Sequence, residues 1–103
     1  MKYVVSWTFN WNGSAAENEA GIRRALEVFA NWKPSPSTTY HQFVSRLDGK
    51  GGFAVVETDN PIDLADGPAK FGFCAEYEIY PVVEVTEVAQ AFQQGADFRA
   101  SIG

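Results

Sequence analysis

The stretch from Lys2 to Asn10, KYVVSWTFN, decides the fold. Its side chains alternate in the manner of a half-buried β-strand, in which successive residues point to opposite faces of a sheet. One face would carry Tyr3, Val5, Trp7 and Phe9, and the other would carry Lys2, Val4, Ser6, Thr8 and Asn10. Two of the three tryptophans, Trp7 and Trp11, lie in or beside this strand. The strand is therefore either the centre of the core or the wall of a site.

A helix is predicted after this strand. Ser14 and Glu17 have the spacing of a capping box, in which each side chain accepts a hydrogen bond from the backbone N–H of the other residue. Apolar residues then recur at the helical interval, at positions 22, 25, 26, 29 and 30. Pro34 ends the helix near Trp32, because proline disfavours helical geometry in the residue before it.

A β-hairpin is predicted next. Its strands cover residues 39–47 and 53–58, and the segment between them, Asp48-Gly49-Lys50-Gly51-Gly52, supplies glycines that tolerate positive φ angles. Asn60 and Pro61 then indicate a helix start, and Gly67-Pro68 interrupts that helix after about two turns. A fourth strand is expected over residues 75–83, and Thr86 is expected to cap a last helix.

The resulting order, βαββαβ with a C-terminal helix, predicts an α+β, ferredoxin-like fold in a single domain spanning residues 1–103. Right-handed crossovers would place both connecting helices on one face of a four-stranded antiparallel sheet. The other face would stay uncovered by its own chain. A domain of this size buries a modest share of its surface, so we expect a homodimer that packs through the open sheet faces.

Three segments carry a resemblance to a known family: YVVSWTF at the start, GGFAVVETDNP at the hairpin and YEIYPVVEV near the fourth strand. Together they resemble a family of short bacterial single-domain proteins of unknown function. That family is similar to the dimeric α/β-barrel superfamily, whose ferredoxin-like subunits pack sheet to sheet around a central cavity. The resemblance implies this assembly, but it implies no particular activity, because the superfamily hosts unrelated chemistries.

The composition excludes several partners. Thirteen acidic and eight basic residues give a net charge of −5, which repels nucleic acid and anionic membranes. No apolar run is long enough to cross a bilayer, and a cytoplasmic location is expected. The single cysteine, Cys74, is interpreted as a small buried apolar residue. One histidine, one cysteine and scattered carboxylates form no metal site, and no cofactor is expected.

The first strand offers the candidate ligand-binding residues Trp7, Asn10, Ser6 and Thr8. Trp7 could fill the core or line a cavity, and the sequence leaves both possibilities open. If Trp7 faces the helices, Ser6, Thr8 and Asn10 face the cavity between subunits. Small hydroxyls and an amide would there orient a mostly apolar or aromatic ligand.

His41 and Glu57 are the candidate catalytic residues. His41, the only histidine, is expected to share a side of the second strand with Phe43, Ser45 and Leu47. If that side is the open one, the imidazole could act as a general base. Glu57 could exchange protons if it were buried. The simpler interpretation makes His41 a hydrogen-bonded residue of an edge strand and Glu57 a solvated residue at a strand end. It likewise makes the Glu76 and Glu78 pair an exposed acidic strand.

Three functions remain open at this level. The first is a dimeric module that binds or senses a small apolar or aromatic molecule. The second is a cofactor-independent oxygenase or isomerase acting on an aromatic or polyketide-like compound, with His41 or Glu57 as the proton acceptor and Asn10 as an orienting amide. The third is an interaction protein whose sheet face serves only dimer packing.

Overall fold

A computed structural model describes residues 1–103 and has the predicted ferredoxin-like order. The elements are β1 (Lys2–Phe9), α1 (Ala15–Asn31), β2 (Thr39–Ser45), β3 (Gly51–Glu57), a 3-10 helix (Pro61–Ala65), α2 (Asp66–Phe71), β4 (Ala75–Val82) and α3 (Val85–Ile102). The strands form one antiparallel sheet in the order β2-β3-β1-β4. The α+β fold class inferred from the sequence is therefore confirmed.

The alternation in β1 divides the sheet into two faces. Val5 pairs with Ala54 of β3 and Ile79 of β4, and this face is turned toward the helices. Ser6 pairs with Phe53 and Glu78 on the opposite, open face. No helix packs on the open face, so Phe53 stays 46% exposed.

Local signals in the sequence set most of the element boundaries. The Ser14 hydroxyl accepts a hydrogen bond from the Glu17 N–H at 3.1 Å, and the Glu17 carboxylate accepts one from the Ser14 N–H at 3.2 Å. The predicted capping box at the start of α1 is thus confirmed. The expected cap at Thr86 is wrong, because α3 begins at Val85 and a second capping box joins Glu84 to Glu87.

The Gly67-Pro68 pair does not interrupt a helix, contrary to the sequence-based expectation. Instead it lies in the first turn of α2, directly after the 3-10 helix. Proline is tolerated there because the first N–H groups of a helix have no carbonyl partner within the helix. The Gly67-Pro68 pair therefore lies near the junction between two short helices, and it does not mark the end of one helix.

The buried core is small. Its centre is formed by Val5, Ala54 and Val56, and larger side chains that are only partly buried surround it. No residue of α1 is buried, although the helix runs along this side of the sheet. The apolar residues of α1 therefore face a space that other side chains do not fill.

The last helix, α3, projects from the rest of the molecule. The Cα radius of gyration is 18.6 Å, and the longest dimension is 65 Å. A compact chain of this length has a radius of gyration near 13 Å. The excess arises because α3 does not pack against the sheet or against the other helices.

Candidate functional site

The principal cavity is a groove between α1 and the helix-facing side of the sheet, with a volume of about 530 Å³. It exists because α1 stands away from the sheet, which leaves Leu26 64% exposed and Phe29 51% exposed on the apolar stripe of the helix. Of its 21 lining residues, 16 are hydrophobic, so the groove suits an apolar occupant. All three tryptophans line it: Trp7, Trp11 and Trp32.

Aromatic rings form the wall nearest the sheet. The ring of Phe43 lies at the centre, 5.5 Å from the ring of Trp7 and 5.9 Å from that of Trp32, both in edge-to-face geometry. The ring of Tyr77 lies 6.4 Å from Trp7 on the other side. Edge-to-face pairs hold rings at fixed angles, and a further ring can join such a cluster through the same edge-to-face or offset-stacked contacts. The wall is therefore suited to a flat aromatic molecule.

Two glycines at the start of β3 allow Trp7 to lie against the sheet. A Cβ atom at Gly52 would stand 2.4 Å from Cζ2 of the Trp7 ring, and one at Gly51 would stand 2.0 Å from the Trp7 carbonyl oxygen. Both distances are far below the usual contact of about 3.5 Å between heavy atoms. The glycines therefore have a packing role here in addition to the turn that the sequence predicted.

The polar groups in and beside the groove are few, and they are already paired: Asp63 lines the groove, and Asp66 lies beside it, bonded to the lining residue Trp32. The Trp32 indole N–H donates to Asp66 at 2.8 Å, and Lys70 contacts the other oxygen of Asp66 at 2.7 Å. Burial alone would raise the pKa of Asp66, but these two hydrogen bonds outweigh it and lower the pKa. Asp63 accepts hydrogen bonds from Ser37 at 2.6 Å and from Thr58 at 2.9 Å.

The two tyrosines that line the groove remain neutral at physiological pH. Burial, followed by smaller contributions from nearby acidic groups, raises the pKa of Tyr77 to about 12. Burial and the Asp66 charge likewise raise the pKa of Tyr40. With both carboxylates engaged and both phenols protonated, the groove offers no free charge to a ligand.

The direction of Trp7, which the sequence left open, follows from this geometry. Trp7 faces the helices and lines the groove, whereas Ser6 and Thr8 lie on the open face of the sheet. Asn10 follows the end of β1, where its N–H donates to the Cys74 carbonyl at 2.8 Å. The candidate ligand-binding residues are thus divided between opposite sides of the sheet.

His41 and Glu57 form a second cluster, with His41 Nε2 2.7 Å from Glu57 Oε1. Glu57 follows Phe53 and Val55 on the open face by strand alternation. The expectation that His41 shares a side with Phe43 is wrong, because the β2–β3 register shifts between Tyr40 and Gln42. This bulge turns His41 to the open face while Phe43 points into the groove.

The His41–Glu57 contact fixes which atoms of the two side chains are engaged. The hydrogen bond from His41 lowers the pKa of Glu57, so the carboxylate is ionised and acts only as an acceptor. Nε2 therefore donates, and Nδ1 is the ring nitrogen outside this contact. This contact lies at the Lys2 end of β1, roughly 20 Å from Thr8 at the other end. The structure does not bring His41 together with Asn10 or Thr8.

Sequence reasoning missed most of the groove. The groove is lined by four large aromatic residues that the sequence places only in strands or at a helix end: Trp32, Tyr40, Phe43 and Tyr77. The available signal was the stripe of large apolar residues on α1, which has no matching set of buried partners in the sheet. Cys74 lies apart from the groove, and burial raises the pKa of its thiol, which keeps the sulfur protonated.

Neither a metal centre nor a membrane span is found. No three side chains of His, Cys, Asp or Glu converge at any point of the chain. None of the helices combines the length and the apolar character needed to cross a bilayer. The candidate chemistry is therefore that of the aromatic groove and of the His41–Glu57 pair.

Fold and groove together define a class: a ferredoxin-like α+β protein with an aromatic groove on the helix side and an uncovered opposite sheet face. The chain belongs to the family described as Domain of unknown function (DUF3303), which matches residues 1–96. The resemblance to a short single-domain family of unknown function is thereby confirmed. No curated protein matches the chain.

Proposed function

We propose that this protein binds a small, uncharged aromatic molecule in the groove between α1 and the sheet. The observation that carries the proposal is the groove itself, whose volume of about 530 Å³ falls within the range of ligand sites, roughly 300–1,000 Å³. The sequence suggested a cavity between two sheet faces. The groove supports a site on the other side, formed within one chain.

The lining supports the choice of an uncharged ligand. Asp63 and Asp66 are satisfied by hydrogen bonds from within the protein, so an added cation would have to displace an existing partner. An anion would meet the Asp63 carboxylate without a compensating cation, because no Lys or Arg side chain lines the groove. The Tyr40 and Tyr77 hydroxyls remain as the groups able to orient a ligand through one or two hydrogen bonds.

The test is a titration with N-phenyl-1-naphthylamine, a neutral aromatic dye. Because all three tryptophans line the groove, bound dye should quench their fluorescence. The Ala25→Phe variant places a ring inside the groove, and it should weaken dye binding at least about tenfold by occupying the space. Ala20→Phe is the matched control, because position 20 lies on the opposite, exposed side of α1.

Equal dye affinity in Ala25→Phe and the wild type would contradict the proposal. Loss of affinity in the Ala20→Phe control alone would do so too. Circular dichroism spectra and urea midpoints of both variants show whether weaker dye binding reflects a filled groove or an unfolded protein.

A second candidate function is proton transfer by the His41–Glu57 pair, in a cofactor-independent isomerase or oxygenase. The observation that favours it is the 2.7 Å contact, which orients the ring and leaves Nδ1 as a base. Deuterium exchange at the central carbon of 1-phenyl-1,3-butanedione, followed by NMR, tests it. His41→Ala should abolish protein-catalysed exchange, whereas Ala25→Phe should leave it unchanged because the groove lies on the other sheet face. Exchange that survives in His41→Ala would rule out this role.

A further inference from the structure

The helix α3 has an apolar face without a partner. At 3.6 residues per turn, its large apolar residues fall within an arc of roughly 140° around the helix axis: Val85, Val88, Phe92, Phe98 and Ile102. Their exposed fractions lie between 43% for Val88 and 82% for Val85. Gln90, Gln93 and Asp97 lie on the opposite side. Most of the stability of a helix in a protein comes from packing of its apolar face, so an amphipathic helix such as α3 needs a surface to pack against.

The open face of the sheet matches α3 in length and presents large apolar side chains among polar ones. β1 and β4 each contain eight residues, which span about 26 Å, and α3 contains 18 residues, which span about 27 Å. Phe53 and Tyr80 on this face are 46% and 50% exposed. The link between β4 and α3 is only two residues, Val83 and Glu84, and α3 extends beyond its own sheet rather than across it.

The charged residues of α3 and of the two surfaces indicate that α3 fits the open face rather than the groove. Arg99 lies within the apolar arc of α3 and forms no ion pair in the single chain. Glu76 and Glu78 lie on the open face along the edge strand β4, and neither forms an ion pair, although Glu78 accepts a hydrogen bond from the Tyr80 hydroxyl. Asp63, the carboxylate that lines the groove, already accepts two hydrogen bonds, from Ser37 and Thr58.

We propose that α3 of one copy lies across the open sheet face of a second copy, with Arg99 beside Glu76 and Glu78 of that copy. The exchange is reciprocal, as a two-fold dimer requires. Each sheet then has its own helices on one face and the partner's α3 on the other. A sheet-to-sheet barrel is the competing arrangement, and it would cover each open face with the partner's sheet instead of the partner's α3.

The contact is large enough for a stable dimer. A helix about 27 Å long and 10 Å wide covers on the order of 270 Å² in projection. Each contact buries about this area on the helix and again on the sheet, so the two reciprocal contacts bury about 1,100 Å² of surface in total. That area exceeds the roughly 1,000 Å² expected of a specific interface. The contact combines large apolar side chains such as Phe53 with the charged groups of Arg99, Glu76 and Glu78, and protein interfaces usually mix apolar and polar groups in this way.

Charge reversal in the full-length protein tests the arrangement. Arg99→Glu should raise the dimer dissociation constant, measured by analytical ultracentrifugation, at least about tenfold, because like charges then face each other. The triple variant Arg99→Glu with Glu76→Arg and Glu78→Arg should restore it to within about threefold of the wild type. Arg23→Glu on the outer face of α1 makes the same charge change away from the contact, and it should leave the dissociation constant unchanged.

A second pair of variants guards against misfolding. Phe92→Glu on α3 and Phe53→Glu on the sheet should each give a folded monomer, because each buries a charge in the same contact. If Phe53→Glu dissociates the dimer but Phe92→Glu and Arg99→Glu do not, the two sheets pack directly against each other, and the proposal is overturned. A wild-type protein that stays monomeric at millimolar concentration would overturn it as well. Neither outcome bears on dye binding in the groove, which is formed within one chain.

Discussion

Replacing Gly52 with alanine tests how the aromatic wall of the groove is built. The added Cβ would lie 2.4 Å from Cζ2 of Trp7 and 2.4 Å from the carbonyl oxygen of Val44. The first neighbour is a side chain that can move, but the second belongs to the backbone of β2 and is held by the β2–β3 ladder. To reach an ordinary contact of about 3.5 Å, these groups must separate by about 1 Å.

The expected change in the free energy of unfolding follows from two opposing effects of the added methyl group. Forcing an extra methyl group into a filled site costs about 1–3 kcal/mol. The lower chain entropy of unfolded alanine relative to glycine offsets about 0.4–1 kcal/mol of this cost. We therefore expect Gly52→Ala to reduce the free energy of unfolding by about 1–2 kcal/mol. Trp7 should also move toward the groove, which lowers the affinity for N-phenyl-1-naphthylamine.

Urea denaturation followed by tryptophan fluorescence measures the first effect, and the dye titration measures the second. Gly95→Ala in α3 is the matched control, because its nearest neighbour would be the Arg99 guanidinium at 3.5 Å. Alanine favours a helix over glycine by about 0.5–1 kcal/mol, so the control should be at least as stable as the wild type. A Gly52→Ala protein with wild-type stability and dye affinity would refute the account of how Trp7 is seated.

Three further predictions concern single contacts. Ser14→Ala removes the capping hydrogen bond of α1 and should lower the free energy of unfolding by about 1 kcal/mol in urea titrations, while Ser14→Asp should retain the cap. Asp66→Asn keeps a hydrogen-bond acceptor for Trp32 but removes the negative charge that helps to raise the pKa of Tyr77. The pKa of Tyr77, measured by absorbance, should therefore fall in this variant. Because the hydrogen bond from His41 lowers the pKa of Glu57 below 4.5, its stabilising contribution is present above that pH and is lost as the pH falls through the lowered value. Glu57→Gln should therefore make the urea midpoint less dependent on pH across this acid range, and an unchanged pH profile would contradict the assignment.

The order of elements was predictable from sequence because each element carries its own local signal. β1 has strict alternation, α1 has a capping box, and the hairpin has a glycine-rich turn. Such signals act over a few residues and do not depend on how the elements pack against one another. The sheet order then follows from handedness and connectivity, which leave few alternatives for this sequence of elements.

The site was not predictable in the same way, because it depends on distances between elements. The bulge between Tyr40 and Gln42 reverses the side on which His41 lies, and nothing in the local sequence marks it. The pairing of His41 with Glu57 depends on that reversal, since regular alternation would have put them on opposite faces. The groove likewise depends on how far α1 stands from the sheet, which no periodicity reveals.

The alternation of β1 gives neighbouring residues access to different surfaces. Trp7 lines the groove, and Ser6, one residue earlier, lies at the centre of the open face. If the groove holds a ligand and the open face holds α3 of a second copy, substitutions at these two positions should separate the functions. Ser6→Glu should weaken the dimer by placing a charge under an apolar helix, and dye binding should persist because the side chain never enters the groove. Trp7→Leu should weaken dye binding through loss of the ring face and leave the dimer intact. A central strand of one sheet can thus serve both surfaces, because the pleat keeps their side chains apart.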